Sequence, residues 1–151
     1  MAEAAKGRLK TGMQKSVGGA EGMRLNQVTL PAVDMAESIA FYKRLGLIQI
    51  VDAPHYARFE CPEGESTFSL HKVEGAVKPS EAVVYFETAN LDAEVERLKL
   101  LGVVFDQDPQ DEVWLWREAR LKDPAGNPLC LFWAGEIRKN PPWRLPASVS
   151  D

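Results

Sequence analysis

Hydrophobic positions recur along this chain in two matching runs. Residues 25–72 and 82–133 share one layout, and landmark positions fall at a constant offset of 56. Asp34 meets Asn90, Ile39 meets Val95, Tyr42 meets Leu98, Leu45 meets Leu101 and Gly46 meets Gly102. A fixed internal period sets architecture before any motif is considered. Each run opens with a short apolar strand, Leu25–Leu30 and Ala82–Glu87; the first alternates apolar and polar residues at period 2, the mark of a half-buried strand. In the first run Asp34, with Glu37 three places on, predicts a helix N-cap with its capping-box partner. Ile39, Tyr42 and Leu45 then share one helical face, flanked by Phe41, and Gly46 closes the helix. Strands are predicted at Leu47–Val51, Tyr56–Cys61 and Ser66–Lys72, the last two separated by the Pro62-Glu63-Gly64-Glu65 turn. The second run predicts an Asn90 cap, a helix over 91–101 and Gly102 at its end. Strands follow at Val103–Phe105, Val113–Leu121 and Leu129–Trp133, with the turn Asp123-Pro124-Ala125-Gly126-Asn127 before the last.

The expectation is an α+β fold: two tandem βαβββ modules, residues 24–73 and 81–135, forming a curved mixed sheet or open barrel with a central pocket. Successive strand residues point to opposite faces. The helices require the apolar face, so Val28, Leu30, Phe68, Leu70, Val84, Phe86, Leu129 and Leu131 should pack beneath them. Gln27, Thr29, Ser69, His71, Val83, Tyr85, Cys130 and Phe132 are left to line a concavity. That mixture of apolar wall and few polar groups suits a small-molecule site.

Bulk properties narrow the partners. The chain has 151 residues, one domain's worth, and 45% of them are hydrophobic, enough for a core. Eighteen basic against 22 acidic residues give a net charge of −4, which argues against binding nucleic acid through its phosphates. Cys61 and Cys130 form neither a framework nor a CxxC pair, so a reduced, cytoplasmic setting is expected. No apolar stretch approaches the roughly 18 residues that suggest a membrane span. Residues 1–23 lack the apolar stretch of a secretory signal, and Glu3 and Glu21 count against a mitochondrial leader; a flexible extension is expected. Residues 136–151 are expected to form an extended arm, because Asn140-Pro141-Pro142 suits neither a helix nor a central strand. Trp143 would dock that arm on the domain or on a partner subunit.

The tandem modules, the run Asp34…Ser38-Ile39-Ala40-Phe41-Tyr42…Leu45-Gly46 and the late Trp116-Arg117-Glu118-Ala119…Asp123-Pro124-Ala125-Gly126-Asn127-Pro128-Leu129 together resemble the vicinal oxygen chelate superfamily. That superfamily includes glyoxalase I, bleomycin-resistance proteins and extradiol dioxygenases. The matching motifs are structural, and a fold does not settle a function. The resemblance implies divalent-metal ligands on the pocket face of the first and last strand of each module. Those positions fall on Gln27, Ser69, Val83 and Cys130. An aliphatic side chain ligates nothing, and without the family's His and Glu neither an octahedral site nor a 2-His-1-carboxylate iron site can be built. A displaced set of Gln27, His71, Glu87 and Cys130 is the alternative, with Cys and His favouring zinc.

Further candidates carry two readings each. Cys130 is a nucleophile if His71 lies within about 3 Å, and otherwise a small buried hydrophobe. Tyr85 either donates a proton to a ligand or caps the barrel. Trp114 and Trp116, expected on one side of one strand, stack on a planar ligand or cover a subunit interface. Arg117 anchors a carboxylate or pairs with its neighbours. The expected function is binding, or metal-free conversion, of a small and partly apolar molecule between the modules, with no metal or cofactor. Expected contacts are Gln27, Ser69, His71, Tyr85, Trp116 and Cys130. The alternatives are a lyase or dioxygenase using displaced metal ligands, and an interaction module docking through its C-terminal arm. Resemblance also implies a homodimer.

Overall fold

The computed structural model describes residues 22–78 and 80–147, so the expected N-terminal extension lies almost wholly outside the described residues. The first module runs β1 (Gln27–Ala32), α1 (Met35–Arg44), β2 (Ile48–Ala53), β3 (Tyr56–Glu60) and β4 (Thr67–Lys72). The second runs β5 (Val84–Glu87), α2 (Leu91–Leu100), β6 (Gln107–Asp111), β7 (Arg117–Lys122) and β8 (Pro128–Trp133). Each module builds one four-stranded mixed sheet, in the orders β1-β4-β3-β2 and β5-β8-β7-β6. First and last strands pair in parallel, Thr29 beside Ser69 and Tyr85 beside Cys130. The tandem βαβββ expectation is met, and the two sheets stay open rather than closing into a barrel.

The helices reproduce the repeat residue for residue, ten residues each. The Asp34 carboxylate accepts the Glu37 N–H at 3.0 Å and so caps α1. Asn90 holds the matching place on α2 but makes no side-chain cap bond; its own N–H goes to Thr88 Oγ1 at 3.4 Å. Both helices end alike. Leu47 N–H donates to Tyr42 O and Gly46 N–H to Lys43 O; Val103 and Gly102 repeat this on Leu98 and Lys99. This two-bond closure needs a left-handed residue, and Gly46 and Gly102 supply it with φ of +102° and +91°. It also takes a hydrophobic residue just beyond, which is why Leu47 and Val103 are buried.

Val103 therefore terminates a helix; it does not begin a strand. The strand expected at Val103–Phe105 lies instead at Gln107–Asp111, a polar segment with Pro109 within it. As an edge strand it tolerates the proline, because only one side needs ladder bonds. The strand expected over Val113–Leu121 starts at Arg117. Residues 113–116 form the turn that closes the β6–β7 hairpin, with Glu112 N–H donating to Trp116 O at 2.7 Å and Leu115 at φ 73°.

One core lies between the helices and the sheets. It joins Phe41, Tyr42, Leu91, Val95 and Leu98 from the helices with Phe59, Phe68, Leu70, Leu121, Leu129 and Leu131 from the strands, and Leu30, Val84 and Phe86 pack against it. Of the positions assigned to this face, Val28 alone is absent from the cluster. Both helices cover this core, and Arg97 of α2 donates to the Arg44 carbonyl at the end of α1 at 2.9 Å. Because both helices cover the same side, the other faces of both sheets belong to one surface.

Two bonds, one buried and one partly buried, lock the modules together. Tyr42 donates to Asp123 Oδ2 at 2.6 Å, and Asn127 Nδ2 donates to the Pro31 carbonyl at 2.9 Å. Asp123 also accepts from Ala125 N–H, Asn127 N–H and Asn127 Nδ2. The FY and DPxGN motifs, far apart in sequence, thus meet in one clasp. Burial, with the Asp123 carboxylate adding to it, pushes the Tyr42 hydroxyl far above its ordinary range.

Candidate functional site

Strand register decides what the uncovered surface carries. In module one it presents Gln27 and Thr29 on β1, Thr67, Ser69 and His71 on β4, and Tyr56, Arg58 and Glu60 on β3. In module two it presents Tyr85 and Glu87 on β5, Cys130 and Phe132 on β8, and Glu118 and Arg120 on β7. The two halves differ in character. Module two has a second hydrophobic cluster there, Cys130, Phe132 and Ala134 with Val83 and Trp116 packed on it. Trp116 stacks on Phe132 at 4.7 Å, and Tyr85 meets both edge-on at 5.9 and 5.5 Å, offsets that aromatic quadrupoles favour. Module one has no such cluster among the described residues.

Beneath the aromatic group sits a buried carboxylate. Glu118 is 1% exposed; its Oε1 accepts from Arg120 at 2.6 Å and its Oε2 from Trp114 Nε1 at 2.7 Å. Arg120 in turn lies over the Tyr85 ring at 5.6 Å. Both carboxylate oxygens are satisfied, as a buried charge requires. Trp114 thus leans back onto Glu118 and does not share a strand face with Trp116, since the turn at Leu115 breaks the alternation expected of them.

A cavity of about 340 Å³ opens at the seam, where the starts of β1 and β5 approach. Gln27, Thr67, Val83 and Tyr85 line it together with Val28, Phe68, Val84, Phe86 and Cys61. Of the six expected contacts, Gln27 and Tyr85 line this cavity. Trp116 and Cys130 belong to the aromatic cluster beside it, and Ser69 and His71 lie further along the polar half. Tyr85 is 43% exposed, which leaves its ring open to a ligand.

The metal positions implied by the resemblance do not fit a cation. Gln27 Oε1 accepts from Thr67 Oγ1 at 2.7 Å, and Ser69 is wholly buried with its hydroxyl 2.8 Å from Thr29 Oγ1. Val83 has no donor atom. Cys130 is wholly buried, and burial, with the Glu118 carboxylate adding to it, pushes its thiol up to about 12. The displaced set does not assemble either. Glu87 Oε2 accepts from Ala134 and Gly135 N–H at 2.9 and 2.8 Å, pinning the chain after β8. Among the described residues no three His, Cys, Asp or Glu side chains gather to hold a metal ion. Nor is Cys130 paired with His71: its Sγ donates to the Leu131 carbonyl at 3.7 Å, while His71 is exposed on the other sheet.

Arg117 falls outside the site. It lies on the helix side of β7, where Nε donates to Asp92 at 2.9 Å and Nη1 to Asp111 at 3.0 Å. Trp143 is 58% exposed, and the arm folds back on itself as Arg144 donates to Lys139 O and Asn140 Oδ1. Arg58, Glu118 and Arg120 are the site residues that sequence reasoning passed over. Period-2 alternation from Ser69 and Cys130 onto the neighbouring strands would have found Arg58 and Arg120.

Two mirrored βαβββ modules, clasped over one core with a trough on the free face, define a tandem-module α+β protein. Residues 24–131 match the sequence profile of the Glyoxalase/Bleomycin resistance protein/Dioxygenase superfamily, and the chain belongs to that superfamily. Solved structures agree in fold. A lactoylglutathione lyase from Agrobacterium tumefaciens superposes with a TM-score of 0.62 at 20% identity, covering 76% of this chain and 96% of its own. A superfamily member from Sphaerobacter thermophilus gives 0.63 at 22% identity, with 74% and 98% covered. One from Nocardioides gives 0.64 at 20% identity, with 87% and 92% covered. No curated protein sequence matches the chain.

Proposed function

We propose that this protein binds a small, partly aromatic molecule in the trough between its modules, and does so without the superfamily's four-position metal site. The observation that carries the reading is the aromatic group Tyr85, Trp116 and Phe132 beside an open seam cavity. The exposed Tyr85 ring, backed by the stacked Trp116 and Phe132 over a satisfied polar floor, suits ring stacking, and few polar groups are left to demand particular partners. Gln27, Ser69, His71 and Cys130 shape the surroundings; none is poised as a nucleophile or base. Quenching of tryptophan fluorescence by a panel of aromatic ligands tests the proposal. Saturable quenching is expected in wild type and in chelator-treated protein alike, and Tyr85→Ala should weaken it. Stoichiometric metal retained through purification, with ligand binding lost on chelation, would overturn it.

The homodimer belongs to the same proposal. Ile48 and Ile50, about half exposed on edge strand β2, support it as apolar surface that a second copy would cover. Native mass spectrometry should find twice the chain mass, and a monomer would remove this part.

A further inference from the structure

The two halves of the trough differ in charge as well as in texture. Arg120, in the aromatic half, is compensated by Glu118. Arg58, in the polar half, is not. Its Nε donates to the Tyr56 hydroxyl at 2.8 Å, and its guanidinium lies 5.4 Å from the Tyr56 ring centre. Those contacts fix the fork in place and leave both terminal nitrogens without a hydrogen-bond partner among the described residues. Arg58 has no carboxylate within 4.0 Å among the described residues, whereas Arg120 on the other half has Glu118 at 2.6 Å. Glu60, on the same face of β3, does not come within that distance. Arg58 is half-buried, directly beside the fully buried Ser69. A guanidinium taken partly out of water and held rigid, with its paired donors open, is built to receive a planar two-oxygen anion.

Resting on the aromatic-pocket reading above, we propose that Arg58 is the anion subsite of the trough and that the ligand is an aromatic carboxylate. Its ring lies against Tyr85 and Trp116, and its carboxylate meets the Arg58 fork. Arg58 stands on the third strand of a sheet whose edge strand, β1, adjoins β5 at the seam. Two strand spacings, about 10 Å, separate Arg58 from β1, and the seam cavity lies between β1 and β5.

The test compares 2-naphthoate with its neutral isostere 2-naphthamide by tryptophan quenching, on wild type, Arg58→Gln and Arg58→Lys. Wild type should hold the acid about tenfold more tightly than the amide, the margin of one charge-assisted fork. Arg58→Gln should abolish that margin with amide binding unchanged, which also reports an intact pocket. Arg58→Lys should keep part of it, as a point charge without the fork. Equal binding of acid and amide by wild type would overturn the anion subsite alone. So would an Arg58→Gln variant that keeps the margin, or one that loses both ligands together and so marks Arg58 as structural. Neither compound binding wild type would overturn the aromatic pocket, and this subsite with it.

Discussion

Glu118 shows how one residue governs the trough. Its carboxylate is buried and charged, and Arg120 and Trp114 together satisfy it. Replacing Arg120 by Met removes the partner and keeps the charge, a change that costs about 3–5 kcal/mol at buried pairs. Urea unfolding should show that loss, and adding Glu118→Gln should recover much of it. Cys130 makes the matching case for a neutral group. Its folded thiol titrates near 12 against an ordinary 9.0, so below pH 9 both folded and unfolded chains hold the proton and stability is unaffected. Between those values the unfolded chain loses the proton and the folded one keeps it, so stability falls as pH rises. Unfolding followed from pH 8 to 11 should show this decline, and Cys130→Ala should make it shallower, leaving the shares of Cys61 and Tyr42, whose groups are also held up by burial. Neither effect was legible in sequence, where Glu118 read as one charged residue among many. Its burial depends on Trp114, which a turn swings back over it.

At the scale of elements, the sequence was clearest where side-chain pattern and backbone chemistry agree. Both helices, their glycine closures and six of eight strands lie close to where periodicity puts them. The two misplaced strands, β6 and β7, fail for one reason: hydrophobicity was read as strand where it serves a closure. Val103 is the buried residue beyond a helix end, and Val113, Trp114 and Leu115 form a hairpin turn that holds Trp114 against Glu118. β6 itself, Gln-Asp-Pro-Gln-Asp, has no apolar signal to find. Leu115 sits at φ 73° and is half exposed, so its side chain is strained for little burial in return. Leu115→Gly should leave stability unchanged or raise it by up to about 1 kcal/mol, read from the urea midpoint. Leu115→Pro, whose ring cannot adopt that φ, should lower it by more than that and loosen the Trp114 contact, visible as a red shift in tryptophan emission.

For the whole molecule, the repeat located the trough and its lining, and with them the four positions where the resemblance implies metal ligands. It did not reveal that the halves had specialised, polar in one module and aromatic in the other. That division appears only when neighbouring strands are placed in register, because Arg58, Glu118 and Arg120 reach the trough from strands the first-and-last-strand comparison ignores. The clasp is likewise invisible in one dimension, although both its motifs were read. Tyr42→Phe leaves Asp123 one bond short in a buried place, and about 1.5–3 kcal/mol should be lost. The urea midpoint reports the loss, and an unchanged unfolding slope would show that the modules still melt as one unit.

The clasp also imposes an order on synthesis. Tyr42 emerges from the ribosome 81 residues before Asp123, and Phe68 waits a much shorter stretch for Phe86 and the second helix to complete its surroundings. Chains of this size commonly settle from the N-terminus as they are made. Here the leading half has its own sheet but only part of its core, so it must remain unsettled until the trailing half is out. Ribosome-bound chains halted before Asp123 should be digested quickly by protease, and those extended past Trp133 and clear of the exit tunnel should resist. Resistance in the shorter chains would mean that the first module stands alone.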